Sequence, residues 1–355
     1  MAYGSGFFKT SYEADMAVLD SGVRRVALAM LVIGLLALPR VASAFVLELL
    51  SQAALAAVGA LALNVLTGMA GQVSLGHAGF LAAGAFTVGV LVEGWKAGPL
   101  VTFPAAAIVG AVLGLAVGAP SLRLKGLYLA LGTLAMHFVV LYLGSEYQAR
   151  WGLNTGVSVP PIVVFGARLR TGVQWYYVLI ALAALAAVVS LNLSRSRVGR
   201  AWMAIRDREV AAASLGIAVA RYKLLAFVAS STATSLAGAV WAYQRSFVSV
   251  EAFSFFVTVE YLAMIVIGGL GSTLGALLGA AFVTLLPYAI DAAVASLHIT
   301  GAAEYYLFPL KFGAFGFLMA LFLLFEPQGL VGMWRRARNW LVLWPLRYAP
   351  LRGGR

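Results

Sequence analysis

Cysteine is absent from the 355 residues, which excludes disulfides and thiolate metal sites. Charge is scarce. Only 11% of residues are charged while 62% are hydrophobic; a soluble domain carries roughly a quarter charged residues. Most of this chain therefore has no water to face. The three histidines, His77, His137 and His298, are scattered without metal-ligand spacing, so no metal is expected. A Gly-x-x-x-x-Gly-Lys-Ser/Thr loop is missing, so this chain is not expected to bind nucleotide. A nucleophile–base cluster is missing too, which argues against a membrane-embedded enzyme. No cofactor is expected.

What fills the chain is a series of continuous apolar runs. A bilayer core of about 30 Å takes around 20 apolar residues per helix, and lipid leaves only helices or a closed barrel for the backbone. The runs do not alternate, so they are helices and not barrel strands. About ten spans are predicted, near 25–44, 46–66, 73–94, 99–119, 126–146, 173–193, 224–245, 254–270, 273–296 and 304–325. The expected fold is an all-α polytopic helix bundle in a membrane. Residues 1–24 form an N-terminal segment, 25–326 the membrane domain and 327–355 a basic tail. Arg24 and Arg25 before an apolar run, with Ala42-Ser43-Ala44 after it, imitate a signal peptide. The two dozen residues ahead of the run favour a first span acting as a signal anchor.

The net charge of +12 does not point to nucleic acid, because the basic residues sit in short loops between the runs. With the N-terminus inside and ten spans alternating, eighteen Lys and Arg fall on the inner side and six on the outer, with Lys311 left within the last span. The positive-inside rule then places both termini and the loop 194–223 in the cytoplasm. Gly110, Gly114 and Gly118, and Gly271, Gly275 and Gly279, repeat every fourth residue, the spacing that lets helices approach closely in lipid. Packing within one subunit is the expected use. Pro39 and Pro287 are expected to kink their helices.

Three segments break the apolar pattern. Residues 64–80 (Asn64-Val65-Leu66-Thr67-Gly68-Met69-Ala70-Gly71-Gln72-Val73-Ser74-Leu75-Gly76-His77-Ala78-Gly79-Phe80) mix glycine and polar side chains between two spans. Irregular backbone at membrane depth must be buried in protein or line a cavity, as in the broken helices of transporters; an ordinary cytoplasmic turn fits the same pattern. Residues Ile267 to Gly275, with Ser272 among them, have the same character. The two segments are expected to approach each other or a cavity. The third segment, Gly199 to Gly216, predicts one short helix on the basic side, with Trp202, Ile205, Ala212 and Gly216 on one stripe, Glu209 among them, and Gly216 as its stop. It suits either the membrane surface or a groove on another protein.

Residues 199–216, reading Gly-Arg-Ala-x-x-Ala-Ile-Arg-Asp-x-Glu-x-Ala-Ala-x-x-Leu-Gly, resemble the cytoplasmic coupling loop of the branched-chain amino acid permease family of ABC importers. Residues 64–86 resemble that family's Thr-Gly-x-x-Gly-x-x-Ser-Leu-Gly-His-Ala-x-Phe signature. Gly268 to Gly279 resembles its Gly-Gly-x-Gly-Ser-x-x-Gly motif, and Glu326-Pro327-Gln328-Gly329-Leu330 its closing Glu-Pro-x-Gly-Leu. The longer, M-type permease subunit is the best match. In the general ABC coupling motif a glutamate opens Glu-Ala-Ala; here Val210 holds that position and Glu209 stands one earlier. The resemblance implies a second permease subunit, two cytoplasmic ATPases and an extracytoplasmic binding protein as partners. It implies ATPase coupling through Gly199, Arg200, Trp202, Ile205, Arg206, Asp207, Glu209, Ala212 and Gly216. Leucine, isoleucine and valine are the implied substrates, with urea, amides and aromatic acids as relatives' alternatives.

Ionisable residues within spans are functional candidates by default: Glu48, His137, Glu260, Asp291 and Lys311. Glu48 and Asp291 fall near span ends, and Lys311 can snorkel or pair with Glu304. Candidate path residues are Asn64, Gln72, Ser74, His77, His137, Glu260 and Ser272. An ion-coupled secondary transporter is the rival reading; Glu260 as the only deep carboxylate disfavours it.

Overall fold

The computed structural model describes residues 22–122, 126–151, 156–164, 167–169, 171–296 and 329–343, with isolated residues between 313 and 324. Among the described residues eight helices are long and apolar enough to cross a membrane. They belong to α2 (Ala44–Leu63, prolonged by a wide π turn over Asn64–Met69), α3 (His77–Trp95), α4 (Pro99–Ser121), α5 (Leu127–Trp151), α6 (Gly172–Arg195), α9 (Val219–Arg245), α10 (Phe255–Gly268) and α11 (Thr273–Ser296). Each coincides with an expected span. The first expected span behaves differently: α1 (Gly22–Ala37) is 16 residues long and gives way to a 3-10 turn at Leu38–Arg40. Pro39 accounts for the break, since it lacks an N–H and crowds the preceding turn. Pro287, by contrast, is carried inside α11. The tenth expected span, with His298, Glu304 and Lys311, lies largely outside the described residues, as do Asn154 and Thr155.

Between α6 and α9 the chain forms two short helices, α7 (Arg197–Asp207) and α8 (Glu209–Ser214). A last described helix, α12, covers Gly329–Leu343. Two-residue strands pair Val157–Ser158 with Phe247–Val248 and Val163–Val164 with Ala167–Arg168, both antiparallel.

Small residues set the helix spacing. A Cβ on Gly110 would come within 2.6 Å of Ser235 Cβ, and Gly114 and Gly118 face Ser231 and Phe227, so the α4 glycines take up the surface of α9. Gly275 and Gly279 likewise meet Gly268, Gly269 and Met264 of the α10 end. Gly110, Gly114 and Gly118, and Gly275 and Gly279, thus pack helices within one chain, as their spacing suggests, while Gly271, with φ +77°, stands ahead of α11. Buried hydroxyls of α9 add bonds between helices: Ser230 donates to Ala62 O and Ser235 to Ala106 O, each at 2.7 Å, and Thr102 pairs with Tyr243 at 2.8 Å. The outer faces stay apolar, with Leu100, Ile108, Leu143 and Leu185 exposed. In water that would be untenable; against lipid it is the solvated state.

Candidate functional site

The two irregular segments meet. Asn64, fully buried in the π turn, accepts a hydrogen bond at Oδ1 from Gly271 N at 2.9 Å. A Cβ on Gly68 would lie 2.5 Å from the same nitrogen. Residues 70–76 run without helix between α2 and α3, and the protein satisfies their backbone. Thr67 Oγ1 donates to Gln72 O at 3.0 Å, Leu75 N donates to Thr133 Oγ1 at 2.8 Å, and Ala78 N, in the first turn of α3, donates to Thr258 Oγ1 at 3.1 Å. Ser74 accepts from Gly76 N, and Ser272 caps α11 by accepting from Gly275 N at 3.1 Å. Gln72 donates to Lys223 O at the foot of α9. The first segment is therefore a buried broken helix and not a solvent turn. Gly329, the described glycine of the closing Glu-Pro-x-Gly-Leu motif, has a φ of +64°. Its Cα sits against Ile267 O and Gly269 N, where a Cβ would come to 2.6 and 2.7 Å.

The basic loop reaches into this junction. The guanidinium of Arg206 donates from Nη1 to Gly68 O at 2.6 Å. Gly71 and Gly271, with φ of +69° and +77°, flank it. A Cβ on Gly71 would stand 2.7 Å from Arg206 Cγ, and one on Gly271 2.6 Å from Arg206 Nη1. Three glycines from both broken segments make a cradle that only side-chain-free positions allow. Trp202, with no exposed surface, anchors the same helix: its Nε1 donates to Tyr222 O at 2.7 Å and it packs among Val65, Leu66, Met69 and Phe227.

This corrects the single helix expected over 199–216. Arg208 is extended, with φ −153° and ψ 97°, and divides α7 from α8. The stripe of Trp202, Ile205 and Ala212 is buried in its own chain instead of being offered outward. Glu209 is paired with Lys223 at 2.8 Å. What faces out is Val210, 84% exposed, and Leu215, 81% exposed, beside Asp207, Arg208, Ala211 and Ala213. Gly199 is buried, Arg200 is exposed and donates to Arg195 O at 2.6 Å, and Gly216, with φ +83°, stops α8 as its position suggests.

At the other end of α2, α9, α10 and α11 lies a cavity of about 310 Å³. Glu260 of α10 lines it, half-buried, with no ion-pair partner among the described residues. Gln52, Trp241, Gln244, Arg245, Thr284 and Tyr288 share the wall. Tyr288 OH donates to Gln52 Oε1 at 3.1 Å, Gln52 Nε2 donates to Glu48 Oε1 at 3.1 Å, and Glu48 stands 3.7 Å from Arg245, forming a polar rim. Sequence reasoning reached Glu260 by its charge but passed over Gln52, Gln244 and Thr284; a search for uncharged polar side chains within spans would have found them. A second cavity, about 670 Å³ between α2, α6 and α9, is walled mostly by Val, Leu and Ala and offers little to a polar solute. His77 lines neither cavity. It is buried at the start of α3, 4.6 Å from the ring of Tyr261, whose other side faces the Glu260 cavity. His137 also lines neither; it packs beside Phe138 and Phe255, and a Cβ on Gly79 would stand 2.8 Å from its Cα. The path candidates thus divide into the junction (Asn64, Gln72, Ser74, Ser272), the cavity (Glu260) and two histidines in the packed interior.

The sequence is similar to known proteins. The family described as the permease component of the branched-chain amino acid transport system matches residues 45–324. The high-affinity branched-chain amino acid transport permease protein LivM of Salmonella typhimurium is 33% identical over 299 residues, covering 78% of this chain and 67% of that protein. A probable LivM of Methanocaldococcus jannaschii is 24% identical over 234 residues, 64% of this chain and 67% of its own length. The autoinducer 2 import permease LsrC of Klebsiella pneumoniae is 32% identical over 184 residues, 50% of this chain and 51% of its own. No solved structure matches. With the family covering the broken segments, the basic loop and the cavity alike, this multi-pass membrane chain belongs to the branched-chain amino acid transport permeases.

Proposed function

We propose that the chain is the M-type permease subunit of an ABC importer in the cytoplasmic membrane, moving branched-chain amino acids inward by alternating access. A second permease subunit, two cytoplasmic ATP-binding subunits and an extracytoplasmic binding protein complete the transporter. The observation that carries the reading is Arg206, held by Gly68 O and seated between Gly71 and Gly271. Through it, and through Trp202, a helix outside the spans grips the point where two broken membrane segments meet. A partner that moves α7 and α8 has to move the junction. A coupling element with equal contacts in both states would shift nothing, so the cradle is expected to open in the opposite state.

The ATPases dock on the outward face of α8 and its C-cap, through Val210, Ala211, Ala213 and Leu215. Exposed apolar side chains of this size on a helix beside an arginine-rich surface suit a groove with an acidic rim. Leu215→Asp puts a charge into that contact without touching the core of the chain. In the assembled transporter the ATP-binding subunits should no longer co-purify with this variant, while the permease stays in the membrane. Normal co-purification and normal leucine uptake by Leu215→Asp would refute the docking assignment.

A further inference from the structure

The cavity around Glu260 carries more than a route. A carboxylate at membrane depth is costly unless something compensates it, and among the described residues Glu260 makes no ion pair, the nearby Arg245 being engaged with Glu48. Two more oxygens in the same wall lack partners: Gln244 Oε1 and Thr284 Oγ1 are buried and accept no hydrogen bond. Thr87, Thr133 and Thr234 each spend their hydroxyl on a carbonyl three or four residues back, whereas Thr284 does not. Buried polar groups left unpaired cost about 1–3 kcal/mol each, so a wall with a carboxylate and an amide oxygen lacking donors, beside a hydroxyl that can also accept, suits a ligand that donates. Opposite in character, Leu55, Met264 and Val283 give the cavity an apolar side, and Arg245 stands in the wall near the Glu48 rim. The volume of about 310 Å³ falls at the small end of ligand sites, roughly 300–1,000 Å³.

We propose that this cavity is a substrate subsite of this chain, in which Glu260, with Gln244 and Thr284, receives the α-ammonium of the amino acid. The aliphatic side chain lies on Leu55, Met264 and Val283, and Arg245 is the cation available to the α-carboxylate. The proposal rests on the amino acid transport reading and adds to it where the substrate sits and which end it leads with. It also gives the permease its own filter, separate from the binding protein: a carboxylate or uncharged solute of the same shape leaves Glu260 uncompensated.

Two measurements on the complete transporter in cells test it. Glu260→Gln keeps the shape and removes the charge; leucine uptake below saturation should fall tenfold or more with the complex still assembled, and a smaller loss overturns the proposal. Because that variant can disturb folding, a second arm uses the cysteine-free background. Thr284→Cys should react with a small ammonium-bearing thiol reagent, and leucine should slow the reaction while isocaproate, which lacks the ammonium, should not. Equal protection by both, or by neither, overturns the proposal. Uptake of leucine, isoleucine or valine by the unmodified transporter separates the two levels: if none is imported the transport reading itself fails, and if they are imported but the variants behave as wild type only the subsite fails.

Discussion

Removing the Arg206 side chain tests the coupling argument at its narrowest point. A hydrogen bond involving a charged group contributes about 1.5–3 kcal/mol. The side chain is 36% exposed, so solvent screens it and the lower figure applies, about 1.5 kcal/mol. If the opposite state lacks the contact, Arg206→Ala moves the two-state equilibrium by about tenfold, since about 1.4 kcal/mol is one decade. Trp202 and the outward face of α8 are untouched, so the ATPases still bind. The ratio of leucine imported to ATP hydrolysed, measured in proteoliposomes holding the whole transporter, should therefore fall by up to about tenfold. Gly271→Ala provides an independent route to the same state. Its φ of +77° costs an L-residue roughly 1–2 kcal/mol, and its Cβ would stand 2.6 Å from Arg206 Nη1, forcing the guanidinium out. The two variants should look alike, and the double variant should add little. An unchanged coupling ratio in both, or full additivity between them, would refute the cradle.

The remaining expectations concern topology and anchoring. A cysteine at Ser196 should stay unreactive toward an impermeant reagent added outside intact cells, because the positive-inside rule assigns the basic loop 194–223 to the cytoplasmic side; labelling from outside would invert the orientation. Trp202→Ala should cost about 3–5 kcal/mol of local packing and make the α7–α8 segment more sensitive to protease in inverted vesicles than it is in the wild type. Ala212→Asp should destabilise the permease itself, because Ala212 is buried in its own chain, whereas Leu215→Asp should leave membrane levels near wild type and lose only the ATPases.

Sequence reasoning found what repeats along the chain and missed what is made across it. Eight of the spans were legible because apolar runs are additive properties of consecutive residues. The glycine repeats were legible because their spacing is helical. The break at Arg208 was not, since nothing local to Asp207-Arg208-Glu209 forbids a helix; the Glu209–Lys223 pair and the burial of Ala212 are tertiary contacts that compete with the continuous ladder. For the same reason the pattern alone assigns the apolar stripe to the membrane surface or to a groove on another protein. An amphipathic pattern states that one face is buried but not against which chain. Asn64, picked for its polarity in an apolar run, proved to be the residue whose side chain joins the two broken segments, a link 207 residues apart in sequence.

The two ends of the site share their helices, and this constrains how they can work. α2 bears Gln52 at the cavity and Asn64 at the junction; α10 bears Glu260 and Gly268; α11 bears Thr284 and Gly275. The glycine contacts between α10 and α11 are densest beside the junction, where the closest approaches are backbone to backbone. Packed helices move as stiff bodies because interiors have few discrete arrangements. Because the same helices bear both sites, a displacement of Arg206 and the junction would be carried along them to the walls around Glu260. The junction is bonded through Asn64, Gly271 and Arg206, and the cavity lies toward the opposite end of the same helices. Alternation between the two requires the cradle to release as the cavity narrows, so occupancy of the cavity and engagement of Arg206 must be thermodynamically coupled, each changing the other by the same factor.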